Sequence, residues 1–112
     1  MIIDKIVLSE NKYPVLEDGI YRFYVYDYKE KYDIHYKLIV NTILYTDIEK
    51  IDYMLVFPLR KRNNKRFINF LHSINVKRLG EPYYYNPEEI IGKSGFVRII
   101  NNYPVDFIYI PL

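Results

Sequence analysis

The sequence contains no cysteine and no tryptophan, and it has only two histidines, His35 and His72. Without cysteine the chain cannot form a disulfide framework, a thiolate metal site or a catalytic thiol, and two histidines are too few for a histidine-rich zinc site. No apolar run approaches the roughly 18 residues that span a bilayer, and Asp4 and Lys5 interrupt the opening residues, where a secretory signal would be apolar. These absences predict a cytoplasmic protein, in the host cytoplasm if viral, with no metal, no cofactor and no membrane partner.

The composition is that of a folded protein. Half of the 112 residues are hydrophobic and 27% are charged, which excludes the disordered class. The net charge of +2 also excludes the uniformly basic class of nucleic-acid packaging proteins. A chain of this length has room for one hydrophobic core, so we predict a single domain over residues 1–112.

Alternating apolar and polar residues predict three strands in the first half, over residues 19–28, 36–46 and 52–59. Pro58 should end the third strand or confine it to a sheet edge. In the first strand, one face should carry Tyr21, Phe23 and Val25, and the other Arg22, Tyr24, Tyr26 and Tyr28.

The hydrophobic period then changes to that of a helix. Phe67, Phe70, Leu71 and Ile74 follow the i, i+3, i+4, i+7 pattern, which predicts a helix over residues 64–75. A short helical turn should begin at Asn86-Pro87 and end at Gly92, and the adjacent Asn101 and Asn102 should form a hairpin turn between strands 95–100 and 105–110.

The order β-β-β-α-β-β predicts a mainly β protein, a five-stranded OB-fold-like Greek-key barrel with one capping helix. An SH3-like barrel or a small α+β sandwich can use the same elements, because one sequence does not show which strands pair.

Positive charge is concentrated in one segment. Residues 60–78 contain seven bases and no acid, whereas the rest of the chain has nine bases and 14 acids. We interpret five of these bases, Arg60, Lys61, Arg62, Lys65 and Arg66, as phosphate contacts.

Tyrosines supply the second signal. Tyr24, Tyr26 and Tyr45 are predicted to project from neighbouring strands, and such rings can stack on nucleobases. The bases predicted to interleave with them are Arg22, Lys29, Lys31, Lys37 and Arg98. Tyrosine is also a common strand residue, so each ring alone is better explained as structural. We predict that the basic segment and the ringed strand face open onto one groove.

Catalytic groups are not recognisable. The carboxylates do not form a metal-nuclease pattern, and Gly92-Lys93-Ser94-Gly95 lacks the spacing of a phosphate-binding loop. We therefore predict no catalytic residues and no enzymatic activity.

Three stretches resemble a known family. They are LEDGIYRF at residues 16–23, RFINFL at 66–71, and NPEEIIGKSGFVR at 86–98. The last is similar to an acidic turn followed by hydrophobic-Ile-Gly-Lys and alternating strand residues in the OB-fold single-stranded-DNA-binding proteins that phages and mobile elements encode beside recombination functions. The chain departs from this pattern after the helix, where it has Asn75-Val76 instead of glycine.

We therefore expect a non-catalytic, sequence-tolerant binder of single-stranded nucleic acid, DNA first and RNA second, with a role in replication or recombination. The alternative is a small viral or mobile-element module that binds a host or self protein through its exposed tyrosines. A homodimer is compatible with both.

Overall fold

The computed structural model describes residues 15–32, 34–59, 64–76 and 86–110. Within them lie five strands, one α-helix and one 3-10 turn: β1 (Gly19–Tyr32), β2 (Tyr36–Tyr45), β3 (Lys50–Pro58), α1 (Lys65–Ser73), the turn Pro87–Ile90, β4 (Ser94–Ile100) and β5 (Tyr103–Ile108). The predicted order of elements is confirmed. Their bounds differ from the predicted ones by at most two residues, except that β1 continues four residues beyond Tyr28.

The strands form one antiparallel sheet in the order β3-β2-β1-β4-β5, which is the pairing expected of an OB-like fold. Strands β3 and β5 are its two edges. The guanidinium of Arg66 donates to the carbonyl oxygens of Val56 in β3 and Pro104 in β5, at 3.1 and 3.2 Å. One side chain reaches both edges because the sheet is curled into a half-barrel.

The core fills the concave side of this half-barrel. Leu38, Val40 and Leu44 are buried along β2, as the alternation predicted. Helix α1 packs its apolar stripe on the same side of the sheet, where five phenylalanine rings meet between helix and sheet. Phe70 lies 4.9 Å from Phe57 and 5.8 Å from Phe23 between ring centroids, and Phe67 and Phe107 complete the cluster.

Asparagines shape the turns. Asn101 and Asn102 have φ angles of 51° and 62°, the left-handed pair that a tight hairpin turn requires. The side chain of Asn86 accepts from the backbone N–H of Glu88 and so caps the predicted helical turn. Asn75, with φ of 61°, takes the left-handed position after α1 that ends many helices.

A β-bulge at Tyr26 divides β1. Val25 lies opposite Thr42, but Asp27 already lies opposite Asn41, so Tyr26 is an extra residue. The alternation therefore changes phase, and Tyr28 packs against the core side of the sheet. Its predicted place on the same face as Tyr24 is wrong, because a strand without a bulge was assumed.

Candidate functional site

The convex side of the sheet, here called the outer face, carries the strand side chains that point away from the core. Arg22 lies opposite Tyr45 of β2 and Phe96 of β4, and Arg98 lies opposite Ile20. These positions alternate with fully buried residues such as Phe23 and Val97, which fixes their direction. The outer face gathers the predicted site residues Arg22, Tyr24, Lys37, Tyr45 and Arg98, all exposed or half-exposed.

Bases outnumber acids on the outer face. The register also places the predicted bases Lys29 and Lys31 of β1 on this face and adds Lys50 of β3, against the acids Asp27, Asp52 and Asp106. Lys31 lies directly opposite Lys37, an arrangement that raises the local positive potential and is unfavourable for the strand pair itself. The face is therefore mixed in charge with a positive excess, most concentrated at the β1–β2 hairpin end.

Tyr26 also lies on the outer face, but its hydroxyl is engaged. It donates to a carboxylate oxygen of Asp52 at 3.1 Å, so the side chain crosses over β2 from β1 to β3. Partial burial raises the pKa of Tyr26 above its ordinary value, and the hydrogen bond and negative charge of Asp52 raise it further. Tyr26 therefore differs from Tyr24 and Tyr45 in being held next to a carboxylate.

The basic segment is placed only in part. Arg60, Lys61 and Arg62 lie outside the described residues. Lys65 is exposed on the first turn of α1. Because α1 packs on the concave side of the sheet, the hypothesis of one groove shared with the outer-face tyrosines does not hold for α1.

Arg66 is held by the fold. Besides its two hydrogen bonds to carbonyl oxygens, its guanidinium carbon lies 4.8 Å from the ring centroid of Phe57, 5.5 Å from that of Tyr103 and 5.8 Å from that of Phe107. Burial lowers the pKa of Arg66. These contacts occupy the side chain that the sequence suggested as a phosphate contact.

Lys50 is a residue of the outer face that was not among the predicted site residues. Its ammonium nitrogen lies 5.8 Å from the Tyr45 ring centroid, and the guanidinium carbon of Arg22 lies 5.5 Å from the same centroid. The third strand was predicted to begin at Asp52, whereas it begins at Lys50. The signal that could have found Lys50 is its spacing of two from Asp52, which puts both side chains on one face.

Within the described ranges, no group of three or more histidine or acidic side chains is arranged to hold a metal ion. In the same part of the chain, no helix combines the length and apolar character needed to cross a bilayer. No family model, curated protein or solved structure matches the sequence.

Proposed function

We propose that this protein is a non-catalytic, sequence-tolerant binder of single-stranded nucleic acid, DNA first, and that the outer face is its binding surface. The observation that supports this proposal best is the convergence of Arg22, Tyr24, Lys37, Tyr45 and Arg98 from three strands on one accessible face. Cations bind the phosphates and rings stack on the bases, and neither contact reads the base sequence.

The fold favours the same surface. In OB-folds, oligonucleotides bind over strands 2 and 3 and the loops beside them, and here those strands bear Lys37, Tyr45 and Lys50. A fold alone does not specify a function, so the chemistry of the site residues carries the proposal. A role in the replication or recombination of a phage or mobile element, in the cytoplasm, follows from the sequence resemblance alone.

The test is a fluorescence-anisotropy titration with labelled oligo-dT, matched RNA and duplex DNA at several salt concentrations. We expect binding to single strands that weakens with salt, the slope of log affinity against log salt being about −0.7 per phosphate neutralised. The double variant Arg22→Gln/Arg98→Gln should reduce the magnitude of this slope by up to about 1.4.

Lys65→Gln is the matched control, because it removes one exposed charge on the concave side of the sheet. The slope of log affinity against log salt for Lys65→Gln should equal that of the wild type. Loss of binding in Lys65→Gln, with no change in the Arg22/Arg98 variant, would move the interface to the helix side. Absence of salt-dependent binding to all three probes would refute the proposed function.

A protein-binding module is the second candidate, because apolar side chains are exposed beside the cations. Met54 and Val56, at the sheet edge formed by β3, are 46% and 38% exposed. An edge strand with exposed apolar residues can pair with an extended segment of another protein. Recovery of one stoichiometric protein partner, together with no binding to oligonucleotides at low salt, would favour this function.

A further inference from the structure

A row of side chains runs across the strands near one end of the outer face. Lys50 of β3, Tyr45 of β2 and Arg22 of β1 are successive register partners, and Phe96 of β4 continues the row. We call these four residues the Tyr45 row. Since neighbouring strands are about 4.8 Å apart, the α-carbons of Lys50 and Arg22 are separated by about 10 Å, with the tyrosine ring between them.

The Tyr45 row suits a ligand unit that is both aromatic and anionic. Both cations lie within 6 Å of the Tyr45 ring, so the ring and the two charges are already placed together before a ligand arrives. A base can stack on the ring or on the guanidinium plane of Arg22, while its phosphate meets the ammonium of Lys50. Prior ordering reduces the entropy lost on binding.

Negative charge borders the Tyr45 row on one side at the end of the barrel. A groove of about 500 Å³ begins at Tyr45 and is lined by the acids Glu17, Asp47 and Glu49, with no base among its lining residues. A phosphate chain is repelled from this groove, so a strand bound at Tyr45 should not continue past the end of β2.

The other side of the row is bordered by Tyr26 and Asp52. The carboxylate of Asp52 lies two residues along β3 from Lys50, or about 7 Å, and the side chain of Tyr26 crosses β2 to reach it. A strand that followed β2 from Tyr45 towards Lys37 would have to pass this carboxylate. The path that remains for a bound nucleic-acid strand lies between the two acidic regions. It runs across the β-strands, from β3 towards β4.

We propose that the Tyr45 row is the principal nucleotide subsite, that Lys50 is one of its phosphate ligands, and that the bound single strand crosses the sheet from β3 towards β4. This inference rests on the proposed function. It assigns stacking to Tyr45 and gives Tyr26, held by Asp52, no stacking role.

The experiment measures the affinity for labelled oligo-dT in five variants whose fold is checked by circular dichroism. Tyr45→Leu should weaken binding about tenfold or more, whereas Tyr45→Phe keeps the ring and should bind like the wild type. Lys50→Gln should weaken binding, and Asp52→Asn should tighten it about two- to fivefold at low salt, because a repelling carboxylate is removed. Tyr32→Leu is the matched control, since Tyr32 is an exposed tyrosine outside the row.

The outcomes separate the two proposals. If the wild type binds single strands with salt dependence but Tyr45→Leu loses no more affinity than Tyr32→Leu, the subsite is wrong and the function stands. Unchanged affinity in Lys50→Gln, or weaker binding in Asp52→Asn, would also overturn the subsite. If the wild type binds no oligonucleotide at any salt concentration, the proposed function fails, and the subsite with it.

Discussion

At the scale of single residues, the hydrogen bond between Tyr26 and Asp52 has a measurable consequence at alkaline pH. The fold raises the pKa of Tyr26, first through partial burial and then through the hydrogen bond and charge of Asp52. We expect Tyr26 to ionise above the range of free tyrosine, and Asp52→Asn to lower its pKa while leaving the contribution of burial. An NMR titration of labelled tyrosine, with Tyr26→Phe to assign the signal, measures both values.

Because ionisation and folding are linked, the raised pKa of Tyr26 determines how its ionisation changes the stability of the fold. A raised pKa means that the folded state favours the protonated phenol, so this stabilisation is complete below the unfolded pKa near 10. It is lost as the pH rises through the folded pKa. Equal pKa values in wild type and Asp52→Asn would contradict the assigned hydrogen bond.

Residue-level signals in the sequence predicted the turns well, because their causes are local. Asn101 and Asn102 tolerate positive φ, and Pro58 lacks the donor that a central strand needs. Tyr28 and Lys50 could not be placed in the same way. The face of Tyr28 depends on the bulge at Tyr26, and the place of Lys50 depends on where β3 begins. Pairing between strands determines the bulge and the start of β3, and the neighbouring residues in the sequence do not.

At the scale of elements, the contact between β1, β4 and α1 depends on a glycine. A β-carbon added to Gly95 would lie 2.9 Å from the ring of Phe23 and 3.2 Å from Ile74. Both neighbours are buried, so the core cannot yield without repacking. We expect Gly95→Ala to destabilise the protein by about 1–3 kcal/mol in urea-induced unfolding.

Gly19 provides the matched control in β1, because its added β-carbon would have only an ordinary contact of 3.9 Å with Tyr21. Gly19→Ala should be neutral or slightly stabilising, since alanine loses less backbone entropy than glycine on folding. If both variants unfold at the same urea concentration, close packing at Gly95 does not contribute to stability.

The bulge in β1 shows why the alternation of apolar and polar residues does not predict the sheet face of every residue in a strand. Alternation predicted the faces of Tyr21 to Tyr26 correctly, and it failed at Tyr28, beyond the bulge. The composition around Tyr26 contains no glycine or proline that would mark an irregularity. The candidate site was therefore predictable where β1 pairs regularly with β2 and β4, including Arg22, Tyr24 and Tyr45.

At the scale of the whole molecule, the sheet has two edges that do not pair with each other in the described part of the chain. Full closure would remove both edges, as it does in barrels. Here the Arg66 side chain joins them, because it donates to one carbonyl oxygen on each edge strand and lies against aromatic rings of β3 and β5. The rings of Phe57 in β3 and Phe107 in β5 also pack together, with centroids 5.7 Å apart. The sequence could not reveal this role, because a basic residue in a basic segment gives no indication that it is half-buried.

Arg66→Met should therefore destabilise the closed half-barrel. Methionine fills similar space but donates no hydrogen bond, so we expect a loss of about 1–3 kcal/mol in urea-induced unfolding. Arg66→Lys should recover little, because one ammonium cannot reproduce the planar guanidinium fork. Hydrogen exchange should accelerate first in the amides of β3 and β5. Lys65→Met, at the adjacent exposed residue, should change neither the stability towards urea nor the hydrogen-exchange rates. If it lowers the stability as much as Arg66→Met does, the charge on α1 is responsible rather than the contact between the edges.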